Sequence, residues 1–278
     1  MLLADYFPLA MLVAYDAGQA VMAVYAEDFA VEQKAGHSPL TKADLASHRI
    51  ISGVLGICTP FPILSEESRH APYSERAEWG PFWLVDPLDG TKEFVKRNGE
   101  FTVNIALIEN GVPVFGVVYT PVTRVLHAGG PGLGAFRCAD PDRDGLVEGI
   151  TAEWTRLPLP GKAPADTLRV VASRSHLNPE TEAFIARIGE GYAKVDLVSS
   201  GSSLKLCLVA EGSADVYPRL APTCEWDTAA AHAVVLGAGG TVCRYEDGLP
   251  VVYNKPDLLN PHFVVAGAGL AWRAGAPR

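Results

Sequence analysis

The chain has 278 residues, of which 48% are hydrophobic, and this is enough for one large or two modest globular domains. Its formal net charge of −9 argues against a nucleic-acid partner, although metal ions can bridge an acidic protein to a phosphorylated metabolite. The five cysteines are odd in number and include no Cys-x-x-Cys pair, which argues against a zinc site or a disulfide framework and favours reduced thiols in a cytosol.

The first predicted element is a long apolar helix over Phe7 to Tyr25. A helix that spans a membrane needs about 20 largely apolar residues, whereas this stretch is interrupted by Asp16, Gly18 and Gln19. The N-terminus also lacks the basic region and the cleavage site of a secretory signal. The pattern therefore predicts a helix that is buried in a globular core, and no integral membrane segment.

A second helix is predicted after the polar loop over Lys34 to Pro39, from about Ser38 to about Leu55. Asp44 lies in its first turn. A carboxylate there stabilises a helix by complementing the positive end of the helix dipole. Taken alone, Asp44 therefore needs no role beyond helix stability.

The most informative stretch extends from Pro81 to Phe94. Its bulky apolar residues predict a buried strand that stops at Asp86, because Pro87 has no N–H for a sheet ladder. Asp89-Gly90 then predicts a turn, and a short helix follows. Carboxylates at a strand end suit hard divalent cations, and free N–H groups at a helix start suit phosphate oxygens. The same pattern is also typical of a plain Asx-turn that ends a core strand.

Three antiparallel strands are predicted over Phe101 to Ile108, Val112 to Tyr119 and Thr123 to Ala128. Asn110-Gly111, between the first two, is a strong signal for a type I′ hairpin turn. These strands need the two N-terminal helices as cover. The first half therefore predicts a layer of helices on a sheet, as in an α+β domain.

The second half predicts a different arrangement. The segment from Ala139 to Asp166 is punctuated by proline and glycine and is interpreted as a surface excursion. After it, predicted strands alternate with predicted helices, which indicates a layered sheet with flanking helices. The predicted division is an N-terminal α+β part at 1–138, a linker at 139–166 and a C-terminal α/β part at 167–278.

Two further acidic segments accompany the stretch from Asp86 to Thr91. Glu66-Glu67 follows an apolar run, and Asp227 lies at the predicted N-cap of a helix. In this order the segments resemble the signature of the inositol monophosphatase superfamily, whose members are Mg-dependent, lithium-sensitive phosphatases. That signature is a Glu-Glu pair, then Asp-Pro-x-Asp-Gly-Thr, then Trp-Asp-x-Ala-Ala. The likeness runs from about Ser38 to about Phe263 and so covers nearly the whole chain.

Longer strings resemble the bacterial 3′(2′),5′-bisphosphate nucleotidases of the CysQ type most closely. These strings are Asp86 to Asn104, Ser173-Arg174-Ser175-His176 and Gly201-Ser202-Ser203-Leu204-Lys205. The sequence departs from the nucleotidase pattern in two places. The segment at 139–166 is longer than is usual, and Glu225 places a charge before Trp226.

The resemblance implies a layered α-β-α-β sandwich of the sugar-phosphatase type. The N-terminal subdomain would bind metal, and the C-terminal subdomain would bind substrate. Two or three Mg²⁺ ions are implied. One is held by Glu66, Asp86 and the carbonyl group of Leu88, and another is held by Asp86, Asp89 and Asp227.

The resemblance also assigns catalytic and substrate residues. Asp44 and Thr91 would position and deprotonate the attacking water, and Glu66 would support catalysis as well. Without the resemblance, His176 would be an ordinary loop residue and Lys205 a solvated helix charge. The residues implied to contact the substrate are Gly90, Thr91, Ser173, His176, Ser202, Lys205 and Asp227.

The implied activity is hydrolysis of the 3′-phosphate of adenosine 3′,5′-bisphosphate, to AMP and phosphate, in sulfur assimilation, with 3′-phosphoadenylyl sulfate as a second candidate substrate. Inositol monophosphatase and fructose-1,6-bisphosphatase activities are alternatives, and Glu211 matches a position where inositol-specific relatives bind a sugar hydroxyl. A non-catalytic sensor of metal or phosphorylated ligands is the alternative outside the enzymes. A cytoplasmic location is expected, while peripheral association with the inner membrane and a homodimer are left open.

Overall fold

The computed structural model describes residues 2–26, 31–33, 39–160, 166–172, 177–272 and 274. This part of the chain contains eight α-helices, two large β-sheets that alternate with layers of helices, and a small sheet formed by two antiparallel strands, Val31–Gln33 and Pro39–Thr41. The helices are α1 (Phe7–Tyr25), α2 (Lys42–Cys58), α3 (Tyr73–Arg76), α4 (Thr91–Val95), α5 (Arg143–Glu148), α6 (Pro179–Gly189), α7 (Leu204–Glu211) and α8 (Ala229–Gly237). The strands are β1 (Val31–Gln33), β2 (Pro39–Thr41), β3 (Ile63–Ser65), β4 (Phe82–Asp89), β5 (Thr102–Glu109), β6 (Val112–Thr120), β7 (Val125–Gly130), β8 (Gly134–Ala139), β9 (Thr155–Arg156), β10 (Thr167–Val171), β11 (Lys194–Val198), β12 (Val216–Arg219), β13 (Thr241–Arg244) and β14 (Phe263–Ala266).

The first sheet has seven strands in the order β3-β4-β5-β6-β7-β8-β9. Its pairs are antiparallel except for β3 and β4, which are parallel. The turn between β5 and β6 has positive φ angles at both Asn110 and Gly111, as a type I′ turn requires. The predicted hairpin is therefore confirmed.

Helices α1 and α2 cover one face of this sheet, as predicted. Met11, Ala14 and Ala17 of α1 are fully buried, and they share a core cluster with Trp83 and Phe115 of the sheet. The helical stretch Leu3–Tyr25 is long and apolar enough, by length and composition alone, to cross a membrane. In this fold, however, its apolar side chains form part of the protein core.

Helices α7 and α8 lie between the two sheets. The alanine-rich helix α8 approaches the first sheet so closely that a Cβ atom at Gly116 would lie 2.2 Å from the carbonyl oxygen of Ala230. Ala230 and Val234 of α8 share a core cluster with Val265 of the second sheet. Small residues at this position therefore let one helix layer bury apolar surface from both sheets.

The second sheet has five strands in the order β11-β10-β12-β14-β13. Strand β10 is parallel to both of its neighbours, and β14 is antiparallel to both of its own. Phe184 of α6 packs with Leu168, Val170 and Val264 in a third core cluster. Helix α6 therefore covers the face of this sheet opposite α7 and α8, which adds an outer helix layer to the predicted α-β-α-β order.

The described part of the segment at 139–166, which lacks residues 161–165, is more than a surface excursion. Helix α5 buries Leu146 against the cluster that contains α1, and β9 pairs with β8 at the edge of the first sheet. Trp154 and Leu157 are buried as well. The segment thus contributes to the core, while the division of the chain at 138 and 167 stays a prediction.

Candidate active site

The predicted acidic stretch lies at the end of strand β4. The strand does not stop at Asp86, as predicted, but extends to Asp89. Asp86 pairs with Asn104 of β5 and Asp89 pairs with Thr102, so β4 carries one extra residue between the two pairs. This bulge accommodates the missing N–H of Pro87, and the Leu88 N–H turns to Oδ1 of Asp86 at 3.1 Å. A bulge re-aims side chains, which lets both aspartates serve one site.

A second acid comes from the neighbouring parallel strand. Glu66 directly follows β3, and its N–H donates to the carbonyl oxygen of Val85 at 3.2 Å. The carboxyl ends of parallel strands meet at the same edge of a sheet, where α/β folds commonly place ligands. The pairing of β3 with β4 therefore places Glu66 beside Asp86.

The third acid arrives from the C-terminal half. Asp227 ends a 3₁₀ turn over Glu225–Asp227, and its Oδ2 accepts from the Cys224 N–H at 2.9 Å. The prediction that Asp227 caps helix α8 is wrong, because Thr228 occupies the N-cap position. Carboxylate oxygens of Glu66, Asp86 and Asp227 all lie within 4.8 Å of one another. This spacing suits a shared hard cation with oxygen ligands.

The electrostatics of the cluster agree with that interpretation. Burial, followed by the charges of Glu66 and Asp89, raises the pKa of Asp86 well above its usual range. Burial and the charge of Asp89 raise the pKa of Asp227 to about 8, although the hydrogen bond from Cys224 opposes this shift. Buried like charges are costly without a counter-ion. A divalent cation would supply that counter-ion.

Asp89 connects the cluster to helix α7. Its Oδ2 accepts from the backbone N–H of Ser203 at 2.6 Å. Burial raises its pKa to about 6, while the charge of Lys205 and the Ser203 hydrogen bond act in the opposite direction. Asp89 is thus held at the junction of the acidic cluster and the start of α7.

Helix α2 packs its first turn against the same strand end. Asp44 is fully buried there, and its charge contributes to the raised pKa of Asp86. The Ser47 hydroxyl donates to the Pro87 carbonyl oxygen at 2.7 Å and so fixes the helix against the bulge. Asp44 is therefore close to the acids, as the resemblance implies, rather than a solvent-exposed helix charge.

The turn after β4 requires glycine. Gly90 has a φ of 93°, and a Cβ atom at this position would lie 2.2 Å from the Ser202 hydroxyl oxygen. Thr91 begins α4 and directs its hydroxyl to the Leu88 carbonyl oxygen at 3.5 Å. These residues lie beside Asp89, and their phosphate-binding and catalytic roles stay predictions.

A cavity of about 250 Å³ opens beside the acids. Ser202 lines it, but its hydroxyl lies 2.9 Å from the Asp89 carbonyl oxygen and 2.7 Å from that of Glu100. Lys205 is partly buried, with its ammonium 2.9 Å from the Ser202 carbonyl oxygen and 6.0 Å from the centre of the Tyr217 ring. Burial lowers the pKa of Lys205, while Asp89 opposes that shift. Lys205 is thus a cation of the cavity wall rather than a solvated helix charge.

Arg219 also lines this cavity and was not identified from the sequence. It lies at the carboxyl end of β12, on the same face of the strand as Tyr217, because side chains alternate along a strand. The sequence predicts only a short strand in this region, and nothing in its local pattern distinguishes Arg219 from other surface charges. The cavity therefore carries two cations next to Asp89 and Asp227.

Two predicted substrate residues, Ser173 and His176, lie outside the described residues. Glu211 is engaged elsewhere, since it accepts from His127 at 2.7 Å and pairs with Arg137 at 3.1 Å. These partners lower the pKa of Glu211 against the effect of burial. Its carboxylate therefore has a structural role in this chain.

Comparison with known proteins agrees with the geometry. The family model described as the inositol monophosphatase family matches residues 3–274.

The chain belongs to the inositol monophosphatase family.

A relative from Escherichia coli strain K12, named 3′(2′),5′-bisphosphate nucleotidase CysQ, is 45% identical over 257 residues, which are 91% of this chain and 96% of the relative. The protein of the same name from Haemophilus influenzae is 32% identical over 269 residues, which are 95% of this chain and 94% of the relative. The crystal structure of CysQ from Bacteroides thetaiotaomicron, a bacterial member of the inositol monophosphatase family, has a TM-score of 0.82 and 47% identity, and the match covers 95% of this chain and 98% of that one. Fold and family are thus as the sequence motifs imply.

Proposed function

We propose that the protein is a Mg²⁺-dependent 3′(2′),5′-bisphosphate nucleotidase that hydrolyses the 3′-phosphate of adenosine 3′,5′-bisphosphate. The observation that carries the proposal is a single cavity that joins two of the clustered acids to two cations, Lys205 and Arg219. The acids suit metal ions that receive the reacting phosphate, and the cations suit a second phosphate. The two CysQ relatives with this name support the same substrate class.

The donor set fits Mg²⁺. Glu66, Asp86 and Asp227 offer oxygen atoms within 4.8 Å of one another. Burial first, and then repulsion from neighbouring carboxylates, raises the pKa of Asp86, and a bound cation would offset both effects. We assign these three residues, with Asp89 and the Leu88 carbonyl group, as the ligands of two or three Mg²⁺ ions. When bound, Mg²⁺ neutralises charge on the phosphate and on the leaving oxygen.

The remaining chemistry is assigned to Asp44 and Thr91. Phosphate monoester hydrolysis needs an aligned water, and proton transfer requires groups within hydrogen-bond reach of that water. The Thr91 hydroxyl is fixed at the start of α4 beside Asp89, and Asp44 faces the same strand end from α2. In the proposal, Thr91 orients the water and passes its proton toward Asp44, while Glu66 helps to hold the water in place.

Selection of the substrate is assigned to the cavity wall. Lys205 and Arg219 would pair with the second phosphate, which inositol monophosphate lacks. The Glu211 carboxylate is occupied by His127 and Arg137, so it does not favour the inositol monophosphatase alternative. Ser202, Ser173 and His176 stay predicted substrate contacts, as do the Gly90 and Thr91 amides.

The expected setting is a small-molecule pathway. The net charge of −9 disfavours nucleic acid, and all five cysteines are free thiols, which suits the cytoplasm. We therefore propose a cytoplasmic enzyme of sulfur metabolism. A homodimer and peripheral contact with the inner membrane are compatible with this proposal.

Phosphate release from adenosine 3′,5′-bisphosphate tests the proposal. We expect activity that requires Mg²⁺, disappears in excess chelator, returns when Mg²⁺ is restored and is inhibited by lithium. Phosphorus NMR should identify 5′-AMP, because only the 3′-phosphate is removed. Full activity in excess chelator, or 3′-AMP as the product, would contradict the assignment.

A further inference from the structure

Glu225, the charged residue that departs from the nucleotidase pattern, is completely buried two residues before Asp227. Its carboxylate accepts from the backbone N–H of Asn254 at 2.6 Å and from that of Lys255 at 3.0 Å. The Lys255 ammonium forms an ion pair with the same carboxylate. All of these donors belong to the loop at 253–256, so the charge of Glu225 binds this loop to the segment that carries Asp227.

Arg76 holds the same loop from the opposite side. It ends α3 and is only 3% exposed. Its guanidinium donates to Oδ1 of Asn254 at 2.6 Å and to the carbonyl oxygen of Lys255 at 3.1 Å, and the Asn254 amide returns a hydrogen bond to the Arg76 carbonyl oxygen at 2.7 Å. The Arg76 Nε–H also donates to the carbonyl oxygen of Ala71 at 3.0 Å, within the segment that follows Glu66.

These contacts form one connected unit, which we call the brace: Arg76, Glu225, Asn254 and Lys255. The Glu225 carboxylate accepts hydrogen bonds from the N–H groups of the loop, and the Arg76 guanidinium donates hydrogen bonds to oxygen atoms of the same loop. One end of the brace is in the segment after Glu66, and the other is in the segment before Asp227. The loop is anchored further by Tyr253, whose N–H donates to the Gly111 carbonyl oxygen at 3.0 Å.

We propose that the brace sets the separation of the Glu66 and Asp227 carboxylates and thereby the affinity for Mg²⁺. The proposal rests on the metal site assigned above. The two carboxylates repel each other, so their close approach must be enforced by the segments that carry them. Groups behind metal ligands commonly set the position of those ligands. Arg76 and Glu225 are buried, and both are hydrogen-bonded to the half-buried residues Asn254 and Lys255. Removal of one partner therefore leaves a buried charge less well satisfied.

Lys255→Met separates this mechanism from a simple charge effect. The substitution removes a positive charge near the site, so electrostatics alone would tighten the binding of a cation. The brace instead predicts weaker binding, because Glu225 loses its ion-pair partner and the loop is less firmly held. The variant keeps both backbone hydrogen bonds to Glu225 and a side chain of similar length. Arg76→Met, at the other end of the brace, also removes a positive charge. Electrostatics alone would again tighten Mg²⁺ binding, whereas loss of the brace predicts weaker binding.

The measurement is Mg²⁺ affinity by titration calorimetry on the full chain, without substrate, for both variants and for Arg169→Met. Arg169 is the matched control, since it also forms a bidentate ion pair, with Asp215 at 2.7 and 3.1 Å, in the second sheet. We expect Lys255→Met and Arg76→Met to weaken Mg²⁺ binding about tenfold. We expect Arg169→Met to bind as the wild type does, and kcat at saturating Mg²⁺ to be retained in all three variants.

Unchanged or tighter Mg²⁺ binding in Lys255→Met would overturn the brace, as would equal weakening in Arg169→Met. If Arg76→Met does not fold, Lys255→Met decides the question alone, because its side chain is partly exposed and its backbone contacts persist. A wild-type chain that binds no Mg²⁺ would overturn the metal site itself, and so the two failures are distinguishable.

Discussion

Replacement of Asp227 by asparagine should stabilise the metal-free protein while it removes metal binding. In the folded chain the pKa of Asp227 is about 8, against an ordinary value of 3.8. The folded state therefore holds this proton more tightly than the unfolded state, and stability falls as pH rises from about 4 to about 8. Asparagine keeps the shape and an acceptor for the Cys224 N–H, but it carries no charge. The gain in stability should thus be largest at about pH 8 and vanish below about pH 4.

The size of this gain follows from the pKa difference. A shift of one pKa unit corresponds to about 1.4 kcal/mol, and the neighbouring carboxylates share part of the repulsion, so we expect about 3–5 kcal/mol at about pH 8. For a chain of this length the gain corresponds to an increase in Tm of about 5–10 °C. Mg²⁺ should remove most of this difference, because binding at about 100 to 1,000 times the Kd stabilises the wild type by about 2.7–4.1 kcal/mol, whereas the variant lacks one of the carboxylates that bind the ion.

Thermal melting at about pH 5 and about pH 8, in chelator and in excess Mg²⁺, measures this prediction. Asp215→Asn is the control with the opposite sign, because its carboxylate accepts from the Arg169 N–H at 2.7 Å and from the Arg169 guanidinium, so its loss should destabilise the protein at both pH values. A metal-free Asp227→Asn protein that melts below the wild type at about pH 8 would refute the reasoning. The reasoning would also be refuted if Mg²⁺ raised the Tm of the wild type and of Asp227→Asn by the same amount.

Three further substitutions separate the assigned roles. Thr91→Ala removes a hydroxyl but no carboxylate, so we expect kcat to fall by about 100-fold or more with near-normal Mg²⁺ affinity, and near-wild-type turnover would remove Thr91 from the mechanism. Asp89→Asn should instead weaken Mg²⁺ binding in calorimetry, and unchanged affinity would exclude Asp89 as a ligand. Lys205→Ala should raise the KM for adenosine 3′,5′-bisphosphate at least several-fold, since a charge pair removed from a desolvated contact typically costs about 2–5 kcal/mol, and exposure reduces this cost. It should scarcely alter the hydrolysis of a substrate with one phosphate and no base, and equal losses on both substrates would assign Lys205 to the fold.

The layered fold and the acidic cluster were predictable because their signals are local. Two runs rich in β-forming residues, joined by Asn110-Gly111, specify the hairpin of β5 and β6, and the acids lie in short segments with recognisable neighbours. The resemblance to the inositol monophosphatase family then joined segments that are far apart in sequence. Where the sequence pattern and the strand pairing agree, as at Glu66 beside Asp86, prediction and structure coincide.

Other features depend on contacts that no local pattern encodes. Pro87 predicted the end of a strand, but a bulge allows β4 to continue to Asp89. Glu225 was an unexplained departure, because its partners Asn254 and Lys255 are about 30 residues further along the chain. Arg219 is the last residue of the short strand β12, and only the folded chain places it beside the acids.

The central claim is that this chain prefers a nucleoside bisphosphate to a phosphorylated polyol. The most direct test is kcat/KM for phosphate release, measured with Mg²⁺ on adenosine 3′,5′-bisphosphate, inositol monophosphate and fructose 1,6-bisphosphate. Contacts to the second phosphate and the base predict a preference for adenosine 3′,5′-bisphosphate of about 30-fold or more over inositol monophosphate, the equivalent of about 2 kcal/mol. Fructose 1,6-bisphosphate, which has a second phosphate but no base, should rank below the nucleotide. A higher kcat/KM for either polyol would contradict the account.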